Sequence, residues 1–167
     1  MVLYFSKLNL VSVEVFSVQD DLSLLRKVMG IVANDLKNGT VYEKENYYVE
    51  DEQKYINTVD YTMSIRRKTD EYIDGYIYKD SVVYYKELDK TTGDLKRKKQ
   101  PNTEAIRFYF DFYKETIGFH VTNRFGYKEF NEAFINIVNK CLDNNKRGFH
   151  FEIALRTQGM DFSEIKE

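Results

Sequence analysis

The sequence predicts an α+β domain built mainly from antiparallel strands, with two amphipathic helices packed on the sheet. Three observations predict it. The 167 residues include 14 Tyr and 12 Phe but no Trp and one proline, a composition that suits pleated, half-buried strands. Period-two alternation of apolar and polar residues recurs along most of the chain. Only two stretches, near residues 25–36 and 130–142, carry apolar residues at helical spacing instead.

The chain opens with a strand over 3–16, in which Val11, Val13 and Val15 share one face and Ser12, Glu14 and Phe16 the other. Asp20 and Asp21 then offer N-cap chemistry. Leu25, Val28, Met29, Val32 and Leu36 form one helical stripe, closed by Lys37 and Gly39. A second strand covers 41–49, and the charged stretch 51–54 reads as a turn. Val59, Tyr61, Met63 and Ile65 alternate with Asp60, Thr62, Ser64 and Arg66 as a half-buried strand. Strands at 73–78 and 82–88 follow, with Lys79-Asp80-Ser81 as a tight turn between them. Asp89 to Asp94 reads as a hairpin loop in which Gly93 supplies the positive φ. The basic run Lys96-Arg97-Lys98-Lys99 ends at Gln100 and Pro101.

The last third alternates most cleanly. Ile106, Phe108, Phe110 and Phe112 lie on one face of a strand, with Arg107, Tyr109, Asp111 and Tyr113 on the other. After a turn at 114–116, Ile117, Phe119 and Val121 alternate with Gly118, His120 and Thr122. Phe130, Phe134, Ile137, Val138, Cys141 and Leu142 then form a helical stripe, stopped by Asp143-Asn144-Asn145 through an Asn in the left-handed conformation. Phe149, Phe151, Ile153 and Leu155 make a final strand opposed by His150, Glu152 and Arg156. The order is strand–helix–strand, a meander, then strand–strand–helix–strand. It predicts a two-layer sandwich, with a ferredoxin-like union of the two ends around a meander insertion. Residues 1–160 form a single domain. Residues 161–167 carry helix-start chemistry at Asp161 or Ser163, expected to lead into a C-terminal region of a longer protein.

Composition narrows the function classes. Hydrophobic residues are 43% and charged residues 31%, a globular balance rather than a disordered one. The sequence carries no apolar run of membrane-spanning length and no secretory-type N-terminus. The lone Cys141 has no disulfide partner within the chain, in keeping with a cytoplasmic location. A net charge of −2 weighs against duplex binding.

No Walker loop, dinucleotide fingerprint, nucleophile elbow or zinc knuckle occurs, and no cofactor is called for. His120 and His150, on the polar faces of two strands, are read as structural rather than as base or ligand. Asp111, Glu152 and a lysine are the raw material of a metal-dependent nuclease, read here as polar positions on a solvated face. Tyr109 and Tyr113, with Arg107 or Lys114 and the run Lys96, Arg97, Lys98 and Lys99, are the raw material of a single-stranded nucleic-acid interface. Arg66, Arg67 and Lys68 form a second basic cluster. The Lys96–Lys99 run reads equally as charge that guards an exposed edge strand. Gly75, Gly118 and Gly126 read as bulge, close-packing and turn residues.

Two segments, 102–110 (Asn-Thr-Glu-Ala-Ile-Arg-Phe-Tyr-Phe) and 118–126 (Gly-Phe-His-Val-Thr-Asn-Arg-Phe-Gly), resemble the N-terminal part of uncharacterised bacterial proteins, some of which accompany phage-defence genes. The resemblance implies a bacterial, defence-linked setting. It transfers no functional residue. The leading expectation is a non-enzymatic recognition or assembly domain whose partner is another protein, a C-terminal region of the same polypeptide or a second copy. Tyr84, Tyr85, Tyr109 and Tyr113 are the expected contact residues, because tyrosine gives large contact area at low entropy cost.

Overall fold

Among the described residues seven segments form strands, and all of them join one sheet. The computed structural model describes residues 2–11 and 22–161. In chain order the elements are β1 (Val2–Val11), α1 (Leu22–Asp35), β2 (Val41–Glu50), β3 (Gln53–Lys68), β4 (Tyr72–Leu88), β5 (Leu95–Asp111), β6 (Thr116–His120), α2 (Tyr127–Asn144) and β7 (His150–Asp161). The spatial order is β2-β3-β4-β5-β6-β1-β7, with every pairing antiparallel. No described helix is long and apolar enough to cross a membrane.

Buried side chains of both helices and of the sheet share one core. Val28, Met29 and Val32 of α1 and Phe130, Phe134, Ile137 and Val138 of α2 are buried against Leu8, Met63, Ile77, Ile106, Phe108, Phe110, Ile117 and Phe119. The phenylalanines interlock: Phe119 stacks on Phe130 at 4.0 Å, and Phe108 meets Phe134 edge-on at 5.2 Å. Polar bolts fix α2. Ser6, fully buried, donates to Asn131 Oδ1 at 2.7 Å. Tyr61 donates to Glu129 at 2.5 Å, and burial pushes its hydroxyl pKa strongly up. Lys44 pairs with Glu132 at 2.9 Å and Lys79 with Glu129 at 2.8 Å. Asn139 both donates to and accepts from the Phe151 backbone at 2.9 Å, as a strand neighbour would. Asp35, at the end of α1, is buried beneath a two-point contact from Arg147 at 2.7 and 2.9 Å.

The alternation at 59–65, 106–112 and 117–121 and both helical stripes stand as expected, as does the 89–94 loop, where Gly93 has φ +77°. Several expectations are corrected. Lys79-Asp80-Ser81 is not a turn but the middle of one continuous strand: Asp80 accepts from Thr103 Oγ at 2.6 Å, and Ser81 faces Asn102. Asp80 is met across the strands by Thr103 and Lys79 by Glu129 of α2 and the Arg124 carbonyl oxygen, and no Gly or Pro interrupts the three residues. The Lys96–Lys99 run and Pro101 belong to the same strand as Ile106; Pro101 sits where β5 has β4 alone beside it, an edge that tolerates a missing N–H. Phe112 and Tyr113 lie in the β5–β6 turn, not in the strand. Beyond α2 the left-handed residue is Lys146 (φ +55°), while Asn145 has φ −99°. Asp161 pairs with Val2 as the end of β7. The expected strand residues 12–16, the caps Asp20 and Asp21, and residues 162–167 lie outside the described residues.

Candidate functional site

The sequence-predicted residues fall on two surfaces, at opposite ends of the long β4–β5 hairpin. The first is on the helix-free face. Asp74, Arg107, Tyr109 and Asp111 alternate with buried Ile73, Phe108 and Phe110, so they point away from the helices. There they line an open cavity of about 640 Å³. Tyr72 and Tyr109 are diagonal neighbours across β4 and β5, and their rings stack at 4.9 Å. A β-bulge between Ile65 and Arg67 turns Arg67 onto this face, its guanidinium 5.9 Å from the centre of the Tyr72 ring. Arg107 holds Asp74 at two points, 3.2 and 3.1 Å, which raises the guanidinium pKa. Burial, and then the Asp111 charge, raise the Tyr109 hydroxyl pKa, so it stays a donor at neutral pH.

The other side of Tyr109 is shaped by an absence of side chain. Its β6 partner is Gly118, whose β1 partner is Phe5. Phe5 leans over the glycine, so closely that a Cβ there would lie 3.3 Å from its Cε1. Lys114, in the β5–β6 turn, lines the same cavity and is tied by its backbone N–H to Asp111 Oδ1 at 3.1 Å. His120 closes the far end, with Nδ1 3.2 Å from the Val2 carbonyl oxygen.

The second surface is formed by two projecting ribbons. Pairing between β3 and β4 stops at Asp60–Asp80, whereas β2–β3 and β4–β5 each continue to their turns. Beyond that row the β2–β3 and β4–β5 tips are separate two-stranded ribbons. Arg97 clamps them together: its guanidinium lies 4.1 Å from the Tyr55 ring centre and 4.3 Å from that of Tyr84, and it forms an ion pair with Glu50. Lys96 pairs with Asp89 at 2.7 Å, which lowers the Asp89 pKa. Of the ten exposed large apolar side chains among the described residues, seven sit on these ribbons: Tyr47, Val49, Ile56, Tyr84, Tyr85, Leu88 and Leu95.

This geometry divides the expected sets. Tyr84 and Tyr85 lie on the ribbon, Tyr109 in the cavity, and Tyr113 in a turn beneath Arg26 of α1, 5.2 Å from its ring centre. Arg107 and Lys98 are nine positions apart on β5, about 30 Å, so the basic run and Tyr109 are not one surface. Asp111 on β5 and Glu152 on β7 are separated by β6 and β1, about 14 Å of sheet, and do not converge. His120 faces Leu3 while His150 faces Val11, eight positions along β1, about 26 Å. Of the second basic cluster, Arg67 reaches the cavity, Arg66 lies over Tyr76, and Lys68 donates to the Leu36 carbonyl oxygen at 3.0 Å. The sequence reading missed Tyr72 and Phe5, while Gly118, expected as a close-packing residue, packs against Phe5. The β5–β6 turn carried a usable signal, since its length sets Tyr109 opposite Gly118. No protein-family model, curated protein or solved structure matches the chain.

Proposed function

We propose that the chain is a non-enzymatic recognition and assembly domain that binds another polypeptide through the paired ribbon tips. One observation carries the reading: exposed apolar side chains are concentrated on the ribbons, with Val49 at 72%, Leu95 at 65% and Ile56 at 56% exposure. Large apolar side chains left exposed and clustered among charged ones mark an interaction site. Lysines 96, 98 and 99 supply the rim. In this reading the domain works in a bacterial cytoplasm, in an anti-phage setting, as the resemblance of segments 102–110 and 118–126 implies. The order β7-β1-β6-β5 supports a ferredoxin-like unit in which β2, β3 and β4 are the inserted meander, so the ribbons are the insertion's outer end.

The test is affinity capture from a bacterial host with the wild-type chain and with Val49→Lys, Ile56→Lys and Leu95→Lys. The expected result is a partner, or a second copy, that the wild type retains and the charged variants lose at unchanged thermal midpoints. Equal retention by the variants overturns the ribbon assignment. Tyr109→Ala is the control expected to keep this partner.

A further inference from the structure

We infer that the cavity on the helix-free face binds a nucleotide unit, a planar base carrying a phosphate, with the base against Tyr109 and the phosphate toward Arg67 and Lys114. The inference is independent of the ribbon reading and rests on three features together. First, Tyr72 covers one side of the Tyr109 ring, and on the β6 side Gly118 adds no side chain of its own. Tyr109 is accordingly 47% exposed in a sheet whose other face is buried. The gap is floored by glycine backbone and bounded on the β1 side by Phe5, which suits a flat ring rather than a branched aliphatic group.

Second, the lining charge is opposite in sign to that of the chain. Arg67, Arg107 and Lys114 face Asp74 and Asp111, three cations against two anions, whereas the whole chain carries −2. Asp74 is occupied by Arg107, and Asp111 Oδ1 by the Lys114 backbone. Arg67 and Lys114 form no ion pair among the described residues. An anion therefore meets Lys114 and the Arg67 guanidinium that lies over Tyr72, neither of them in an ion pair among the described residues, and Arg107 keeps the donors that Asp74 does not use, which suit phosphate oxygens. Third, about 640 Å³ lies within the range of cavities that take small ligands. A free nucleotide and one residue of a single strand present the same chemistry here.

The experiment uses the full chain and two probes: mant-labelled AMP, read by fluorescence, and a short fluorescein-labelled oligouridylate, read by anisotropy. Inorganic phosphate and AMP serve as competitors. Saturable binding is expected, displaced by AMP at concentrations where phosphate alone does not act. Tyr109→Ala should weaken it about tenfold, while Tyr109→Phe, which keeps the ring, should not. Arg67→Gln combined with Lys114→Gln should flatten the salt dependence. An oligouridylate bound at least about tenfold tighter than mant-AMP, with the same Tyr109 dependence, makes the natural ligand a strand; equal affinity makes it a free nucleotide. Failure of both probes to saturate below about 1 mM overturns the inference. So does binding that Tyr109→Ala leaves unchanged while Lys98→Gln and Lys99→Gln abolish it.

Discussion

The same two strands behave differently at their two ends. Where β4 and β5 pass under the helices, Ile77 and Ile106 are 0% exposed; at the ribbon tip of the same hairpin, Tyr85 is 45% and Leu95 65% exposed. The base of β5 alternates Ile106, Phe108 and Phe110 with polar residues, whereas its tip carries the basic run 96–99 with Leu95 beside it, yet both are strand. What decides whether their apolar side chains are buried is the helix above them. α2 covers the base, and nothing among the described residues covers the tip. Ladder hydrogen bonds hold both regions as strands, but only the base converts apolar side chains into stability. The tip leaves them available to a partner.

Substitutions separate these regions, taken from the largest expected effect to the smallest. Phe134→Ala removes a fully buried ring touching Phe108, Phe110 and Phe130, and should cost about 4 kcal/mol in urea denaturation. A similar loss at Leu95→Ala would erase the distinction between base and tip. Arg147→Ala strands the buried Asp35 carboxylate and should cost about 3 kcal/mol by the same measurement. Gly75→Ala would set a Cβ 2.3 Å from the Ser64 carbonyl oxygen, and an expected loss of about 2 kcal/mol would show that the β3–β4 base has no slack. Arg97→Ala releases the clamp between ribbons. It should change global stability by under about 1 kcal/mol yet speed hydrogen exchange in 47–57 and 82–99 while the base stays protected.

The smallest effect is on pH dependence. Burial raises the Glu115 carboxyl pKa in the folded protein, against a weaker opposing effect from Lys7. An acid whose folded pKa lies above its unfolded value favours folding while protonated. Its contribution is therefore present at low pH and is lost as pH rises through the unfolded and then the folded pKa. Glu115→Gln should remove that dependence, leaving the stability at neutral pH, read by thermal unfolding, equal to or above the wild type's by no more than about 0.5 kcal/mol.

The core faces were legible because period two and period 3.6 are local. Phe108 and Phe110 read as buried from their own segment, and Phe134 and Val138 from theirs. The extent of β4 was not legible. Lys79-Asp80-Ser81 has turn-like composition, and only its pairing with 102–104 makes it strand. The candidate sites were legible in parts. Tyr84 and Tyr85 stood out as surface aromatics and are surface aromatics. Tyr109 and Tyr113 were grouped because they share a parity, yet the turn at 112–115 carries Tyr113 beneath Arg26 of α1 instead. Tyr72 and Phe5 enter the cavity from strands 37 and 104 positions away from Tyr109 in sequence, a distance that no local pattern spans.

The sequence by itself determined the class of the protein: antiparallel strands, two amphipathic helices, the Gly93 hairpin and a phenylalanine-rich core. Each follows from side-chain periodicity or from backbone freedom at one residue, and both act within a few positions of the chain. Only the tertiary structure decided which polar groups meet. It turned Arg67 onto the cavity face by a bulge after Ile65, joined Arg97 to Tyr55 and Glu50, and set Tyr109 opposite Gly118, over which Phe5 leans. Those outcomes depend on strand register and sheet order, which arise from packing between segments far apart in the chain.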